Sequence, residues 1–201
     1  MPIPDIVPIK PRALKNPFEG SDEWRFEFKY DGFRGLLHIE RGRTPFFNPP
    51  KRQDRKFTHL ANAIAQAFKV ESALLDGEII APDENGVPMF RDLMRGTQRI
   101  LQFVAFDLLY LNGLDLRQMP LIERLRRLER IAPKPSEHFG VVDGIVGRGL
   151  FVFDQACKLD LEGVVAKRLD DPYDRVTKWY KIKNPTYSQK DDRGFFPKRG
   201  R

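Results

Sequence analysis

A single cysteine, Cys157, stands among the 201 residues. One thiol cannot form an internal disulfide, which fits a reducing compartment. Its setting, LFVFDQACKLDLEG, places it on the inner side of a helix as a plain core residue. Long apolar runs are also missing. No stretch approaches the roughly 18 residues that a membrane span needs. The N-terminus, MPIPDIVPIKPRALKNPF, carries prolines where a secretory signal would carry an apolar core, so the expected location is the cytoplasm, with no membrane partner. Histidine is scarce. His38, His59 and His138 are scattered, and no Cys/His cluster of zinc type exists. There is no GxxxxGK[ST] and no GxGxxG, so a bound nucleotide would not rest in a glycine-rich cradle. Internal repeats are absent too.

What is present is charge. Thirty-five Lys and Arg against 28 Asp and Glu leave a net charge of +7. A basic surface commonly means polyanionic partners, without choosing between DNA, RNA and nucleotides. The 41% hydrophobic content suits a globular chain, long enough for one good core or two small ones.

Prolines at 2, 4, 8, 11 and 17 mark residues 1–18 as an extended arm lying over the domain. Strand patterns follow at 24–30, 35–40, 74–81, 102–110, 139–143, 162–168 and 177–183. Three stretches have helical spacing. FTHLANAIAQAF aligns Phe57, Leu60, Ile64, Ala67 and Phe68. PLIERLRRLERI starts at Pro120 and aligns Leu121, Leu125, Leu128 and Ile131, leaving Arg124, Arg127 and Arg130 as a solvated face. GLFVFDQACKLD aligns Leu150, Phe153 and Cys157. Strands irregularly interrupted by helices predict an α+β fold with largely antiparallel sheets. Residues 190–201, basic and without period, read as a flexible tail.

The stretch EFKYDGFRG raises a chemical question. Trp24, Phe26 and Phe28 alternate with Arg25, Glu27 and Lys29, so Glu27 and Lys29 share one strand face, and Asp31-Gly32 then marks a turn or bulge. A surface hairpin is the ordinary reading; a lysine nucleophile with electrostatic support is the sharper one. Three acids interrupt apolar runs elsewhere: Glu78 in LLDGEII, Asp107 in FVAFDLLYL and Glu162 beside LEGVV. A carboxylate in such a place must be paired, hydrogen-bonded or bound to metal. In WYKIK, Lys181 and Lys183 share a face with Trp179. Several cations beside several acids suit a polyphosphate held with a divalent metal, the cations on phosphate oxygens and the carboxylates on Mg²⁺. A lysine nucleophile must be neutral to attack, and nearby cations or metal favour that form.

KYDGFR resembles the KxDGxR signature of ATP-dependent DNA ligases and mRNA-capping nucleotidyltransferases. LDGEII, FVAFDLLYLNGLDLRQMPLIERLRRL, LEGVVAKR and WYKIKNPTYSQ follow in the family's order, and FDLLYLNGLDLR with PLIERLRRL is similar to bacterial ligases of the end-joining type. The resemblance implies an adenylation domain over residues 1–189, of nucleotidyltransferase fold, with the ATP site between sheets. It implies that Lys29 attacks the α-phosphorus of ATP and carries AMP, that Glu27 helps read adenine, and that Asp31 and Arg34 support the lysine and contact nucleotide or nick phosphate. Glu78 would bind ribose and Phe106 would stack near the base. Asp107 and Glu162 would serve Mg²⁺ (or Mn²⁺) and the lysine, and Lys181 and Lys183 would grip the α-phosphate. The implied partner is nicked or broken double-stranded DNA, met by a monomer.

Two departures from the family's pattern stand out. Where the family usually reads Ser-Arg followed by Gly, this sequence has FFNPPKRQDRKFTHL, with Arg52 as the stand-in for the arginine. The resemblance implies an OB-fold after the adenylation domain, and the sequence stops about where that domain is expected to begin. The expectation is therefore a stand-alone adenylation domain, a fragment, or a part that works with a DNA-end-binding or OB-fold-supplying protein. A non-catalytic nucleotide- or DNA-binding remnant and an RNA ligase are the rival readings.

Overall fold

The computed structural model describes residues 6–48, 55–96 and 100–190, and within them the strands sort into two sheets. The first has five strands in the order β1 (Arg12–Ala13), β11 (Tyr180–Lys183), β10 (Gly163–Arg168), β2 (Trp24–Phe28) and β9 (Gly144–Val146). The second runs β4 (Phe46–Asn48), β3 (Phe33–Glu40), β5 (Ser72–Ile80), β6 (Gln102–Leu111) and β7 (Leu114–Asp115), with β8 (Phe139–Val141) also paired to β6. Pairing is antiparallel except for β1 with β11 and β6 with β8. The fold is the α+β arrangement that the patterns predict.

Three apolar layers hold these sheets. Between the sheets, Leu36, Leu74, Leu109 and Tyr110 meet Tyr173 and Trp179, and Ile6 and Ile9 of the N-terminal arm close the same layer. On the outer side of the second sheet lie α1 (Arg55–Ala67) and α3 (Leu121–Ile131), whose Phe57, Leu60, Ile64 and Leu128 join Leu75, Ile79, Phe103 and Leu108. Here α1 buries Ala61 in place of the expected Ala67, which is exposed. On the outer side of the first sheet, α4 (Gly149–Lys158) packs against Phe26, Val164 and Ile182. Its buried face is Gly149, Val152 and Ala156, one position off the expected stripe; Phe153 and Cys157 are half-buried and Leu150 is half exposed. The reason is the tight approach at Gly149, where a side chain would collide with the Phe18 carbonyl.

Short elements escaped the sequence patterns: β1, β4, β7, β9 and the six-residue α2 (Phe90–Arg95). None is long enough to show a period. Arg52 and residues 191–201 lie outside the described residues. Among those described, no helix is long and apolar enough to cross a membrane.

Candidate active site

A cleft of about 440 Å³ opens between the two sheets. The first sheet supplies Glu27, Val165, Lys167 and Lys181; the second supplies Arg34, Glu78 and Phe106. Lys29 lies one residue beyond β2, where its backbone N–H still donates to the Gly163 carbonyl at 2.9 Å. Alternation along β2 sends Phe26 and Phe28 to the α4 layer and Glu27 to the cleft, so one strand serves core and site together. The next turn passes so close to β5 that a side chain at Gly32 would collide with the Ile79 carbonyl.

Lys29 is ion-paired through Nζ to Glu162 Oε2 at 2.6 Å. The other oxygen of Glu162 lies 3.1 Å from Lys183 Nζ. Glu162 itself is buried, Lys29 is 19% exposed and Lys183 is 59% exposed, so the carboxylate sits at the foot of two cations that reach outward. Gly163 follows Glu162 with φ near 142° and a backbone packed against the Ile182 carbonyl, a position that admits no side chain.

Phe106 reaches the cleft because of a β-bulge. Asp76 faces Asp107 and Gly77 faces Ala105, so Phe106 is the extra residue of β6. Its ring and that of Trp179 meet edge-on, 6.0 Å between centroids. Lys167 Nζ lies over both rings, 4.4 Å from one centroid and 4.3 Å from the other. Arg34 also lies over both, at 5.2 and 5.4 Å.

Beneath this floor is a layer of buried charge. Lys167 Nζ pairs with Glu27 Oε2 at 2.6 Å, and Glu27 Oε1 accepts from Arg25 Nε at 3.0 Å. Arg34 is bidentate on Asp76, at 2.9 and 2.5 Å, and also donates to the Ile9 carbonyl. Tyr173 donates to Asp76 at 2.6 Å while accepting the Ile9 N–H. Arg124 of α3 is bidentate on Asp107, at 2.8 and 2.9 Å. Glu27, Asp76, Asp107, Lys167 and Arg124 are all nearly inaccessible to water. Burial pushes the Lys167 ammonium below the usual lysine range, although Glu27 and Asp107 oppose it. Burial also pulls on Arg34, but Asp76 outweighs it and holds the guanidinium above its ordinary value.

Several expectations change on this geometry. Asp107 was expected on a metal; both of its oxygens face the Arg124 guanidinium in the interior, so it is a structural ion pair. Arg124 was read as part of a solvated face; it is fully buried, while Arg130 is exposed. Lys167, not singled out from the sequence, lies in the cleft floor. Glu27 was expected at the base; its carboxylate is taken by Lys167 and Arg25. Glu78, Phe106, Arg34 and Lys181 do line the cleft, and Asp31 is buried beside it. Asp76, Trp179 and Tyr187 were not singled out as site residues. Asp76 had a signal, being an acid in the same apolar LLDGEII as Glu78. Among the described residues no three acids, histidines or cysteines converge as a ready metal cage. A larger surface hollow, about 530 Å³ between β3 and α1, is rimmed by exposed ion pairs such as Arg41–Glu71 and lacks convergent buried groups.

Comparison with known proteins meets this geometry. Residues 12–183 match the model of the ATP-dependent DNA ligase domain. The Multifunctional non-homologous end joining protein LigD of Pseudomonas aeruginosa is 34% identical over 193 residues, which is 90% of this chain and 22% of that protein. A DNA ligase of Pyrobaculum calidifontis is 31% identical, over 83% of this chain and 32% of that one. The solved structure of mycobacterial DNA ligase D complexed with ATP and MES superposes with a TM-score of 0.71 at 29% identity, covering 88% of this chain and 59% of that one. The chain thus spans under a third of the length of these two curated relatives.

Proposed function

Because the chain belongs to the ATP-dependent DNA ligase family, we propose that its cleft binds ATP and that Lys29 takes AMP from it as a covalent phosphoramidate. The observation that carries this reading is the Lys29 ammonium, held 2.6 Å from buried Glu162 at the edge of a cleft walled by Phe106, Glu78 and Arg34. The complex of the mycobacterial relative with ATP supports it.

In this reading the Lys29 nitrogen attacks the α-phosphorus. The N–P bond forms as the bond to the bridging oxygen breaks, and pyrophosphate leaves with that electron pair. Glu162 is within reach of the proton that Lys29 must shed. Lys181 in the cleft wall and Lys183, paired to Glu162, meet the α-phosphate oxygens as point charges. Phe106 stacks on the base and Glu78 meets the ribose. Glu27 acts indirectly, by keeping Lys167 paired beneath the base rather than by touching it. Asp31 and Arg34 hold the two sides of the turn that follows Lys29.

For Mg²⁺ or Mn²⁺ the residues present fit in part. Asp107 does not fit, since Arg124 holds both its oxygens. Glu162 fits, with an oxygen on each of two cations that the triphosphate can draw away. Mg²⁺ usually takes one or two carboxylates and completes its shell with phosphate and water, and it would neutralise charge on the phosphates.

AMP would then pass to the 5′-phosphate of a nicked or broken duplex, for displacement by a 3′-hydroxyl. A second body, in the same protein or in a partner that holds DNA ends, would close over the duplex. The test is intact mass after incubation with ATP and Mg²⁺, followed by a nicked, 5′-labelled duplex. One acid-labile AMP per chain is expected, absent in Lys29→Ala, with label shifting to the adenylated form. An undiminished adduct on Lys29→Ala would remove the assignment.

A further inference from the structure

The stretch that leaves β11, Asn184 to Gln189, turns back along the site and is fastened at four points. Asn184 N–H donates to the Glu162 carbonyl at 2.9 Å, and its side-chain amide donates to the Leu161 carbonyl at 3.1 Å. The Asn184 side-chain oxygen Oδ1 meanwhile accepts from the Thr186 backbone N–H and hydroxyl, fixing the turn. Ser188 bonds Asp160 through both its backbone N–H and its hydroxyl. Gln189 accepts the Phe90 N–H at the start of α2 and donates to the Pro88 carbonyl. Between these anchors Tyr187 is buried, and its hydroxyl donates to Asp31 Oδ2 at 3.3 Å.

The two sides of Lys29 are therefore held by one segment. Asn184 and Ser188 fix the 160–162 turn that carries Glu162, and Tyr187 reaches Asp31, two residues past the lysine. Burial, then the carboxylates of Asp31 and Glu162, drive the Tyr187 hydroxyl well above its ordinary range, so it stays a neutral donor between the two acids. A hydroxyl on a carboxylate at 3.3 Å is long, as hydrogen bonds in sites without substrate often are.

We propose that Tyr187 is a positioning residue for the adenylation step: through Asp31 it sets the turn that aims Lys29, while Asn184 and Ser188 set Glu162 from the same segment. This rests on the adenylation reading above. Nothing in it requires Tyr187 to touch ATP. Its loss should therefore slow the chemical step and leave nucleotide affinity in place.

The test is single-turnover lysyl-AMP formation over a range of ATP, with Mg²⁺, for the unaltered chain, Tyr187→Phe, Asp31→Asn, the double variant, and Val152→Ala on the buried face of α4 as a fold control. Tyr187→Phe should lower the maximal rate about tenfold or more, as misplacement of a nucleophile does, with half-saturating ATP within about twofold. In the Asp31→Asn background the same change should add nothing further, because the hydroxyl acts through that carboxylate. Val152→Ala should lower the melting temperature and spare the rate. The inference is overturned if Tyr187→Phe keeps its rate, if its loss multiplies with that of Asp31→Asn, if it loses cooperative melting, or if Val152→Ala slows the reaction equally. No adduct on the unaltered chain would overturn the adenylation reading and this inference together.

Discussion

At the scale of residues, the floor of the cleft is a balanced set of buried charges. Three acids, Glu27, Asp76 and Asp107, face Lys167, Arg34 and Arg124. Removing one partner of a buried pair leaves the other uncompensated, at a cost of about 3–5 kcal/mol. Glu27→Gln should therefore destabilise the chain by about that amount in urea unfolding, and Lys167→Met on top of it should restore most of the loss, since Arg25, the other cation on Glu27, keeps the Val142 and Gly144 carbonyls. The pH dependence has a defined sign. Lys167 is held below its unfolded value of 10.5 by burial, and without Glu27 it falls further. The unfolded chain then binds the extra proton, so the stability of Glu27→Gln should rise as pH climbs from the depressed folded value toward 10.5. A deficit that is flat with pH, or a double variant as unstable as the single, would contradict this account.

At the scale of elements, helix spacing alone does not say which neighbour a face will meet. α4 shows it. Leu150, Phe153 and Cys157 form a reasonable stripe, but the close approach at Gly149 rotates the helix so that Val152 and Ala156 go inward. Val152→Ala should cost roughly 1–3 kcal/mol through lost burial and the space left behind. Leu150→Ala, larger yet about half exposed, should stay within about 0.5 kcal/mol. Equal costs in a urea titration would mean that the helix is turned the other way. The long strands were legible in two ways, β2 by its alternation and β5 and β6 as apolar runs of strand length, and KYDGFR with the acids at 78 and 162 marked the site residues proposed for nucleotide and metal. Two things were not legible. The bulge at Phe106 depends on the partner strand's register, and the role of Asp107 depends on which helix lies over it. Arg124 was half visible: it occupies the position between Leu121 and Leu128 that an apolar residue would take, so only a buried partner explains it.

At the scale of the whole molecule, the two sheets differ in how far apart along the chain their strands come from. In the second sheet β3, β5 and β6 pair in sequence order, with β4 beside β3 and β7 joined to β6 by a two-residue turn. In the first sheet no strand pairs with its sequence neighbour except β10 with β11; β2 waits for β9 and β10, over a hundred residues on. Contacts that close large loops form late. Pulsed hydrogen exchange during refolding should show amides of β3, β5 and β6 protected before those of β2 and β10; simultaneous protection would contradict the order. The β1–β11 pair carries this furthest, because it sets Arg12 beside Tyr180. On a ribosome, Lys29 would be made 133 residues ahead of Glu162, and further still ahead of Lys183. Lys29, the proposed nucleophile, would emerge long before the groups it must meet, so a chain released between them would carry the KYDGFR signature and no site.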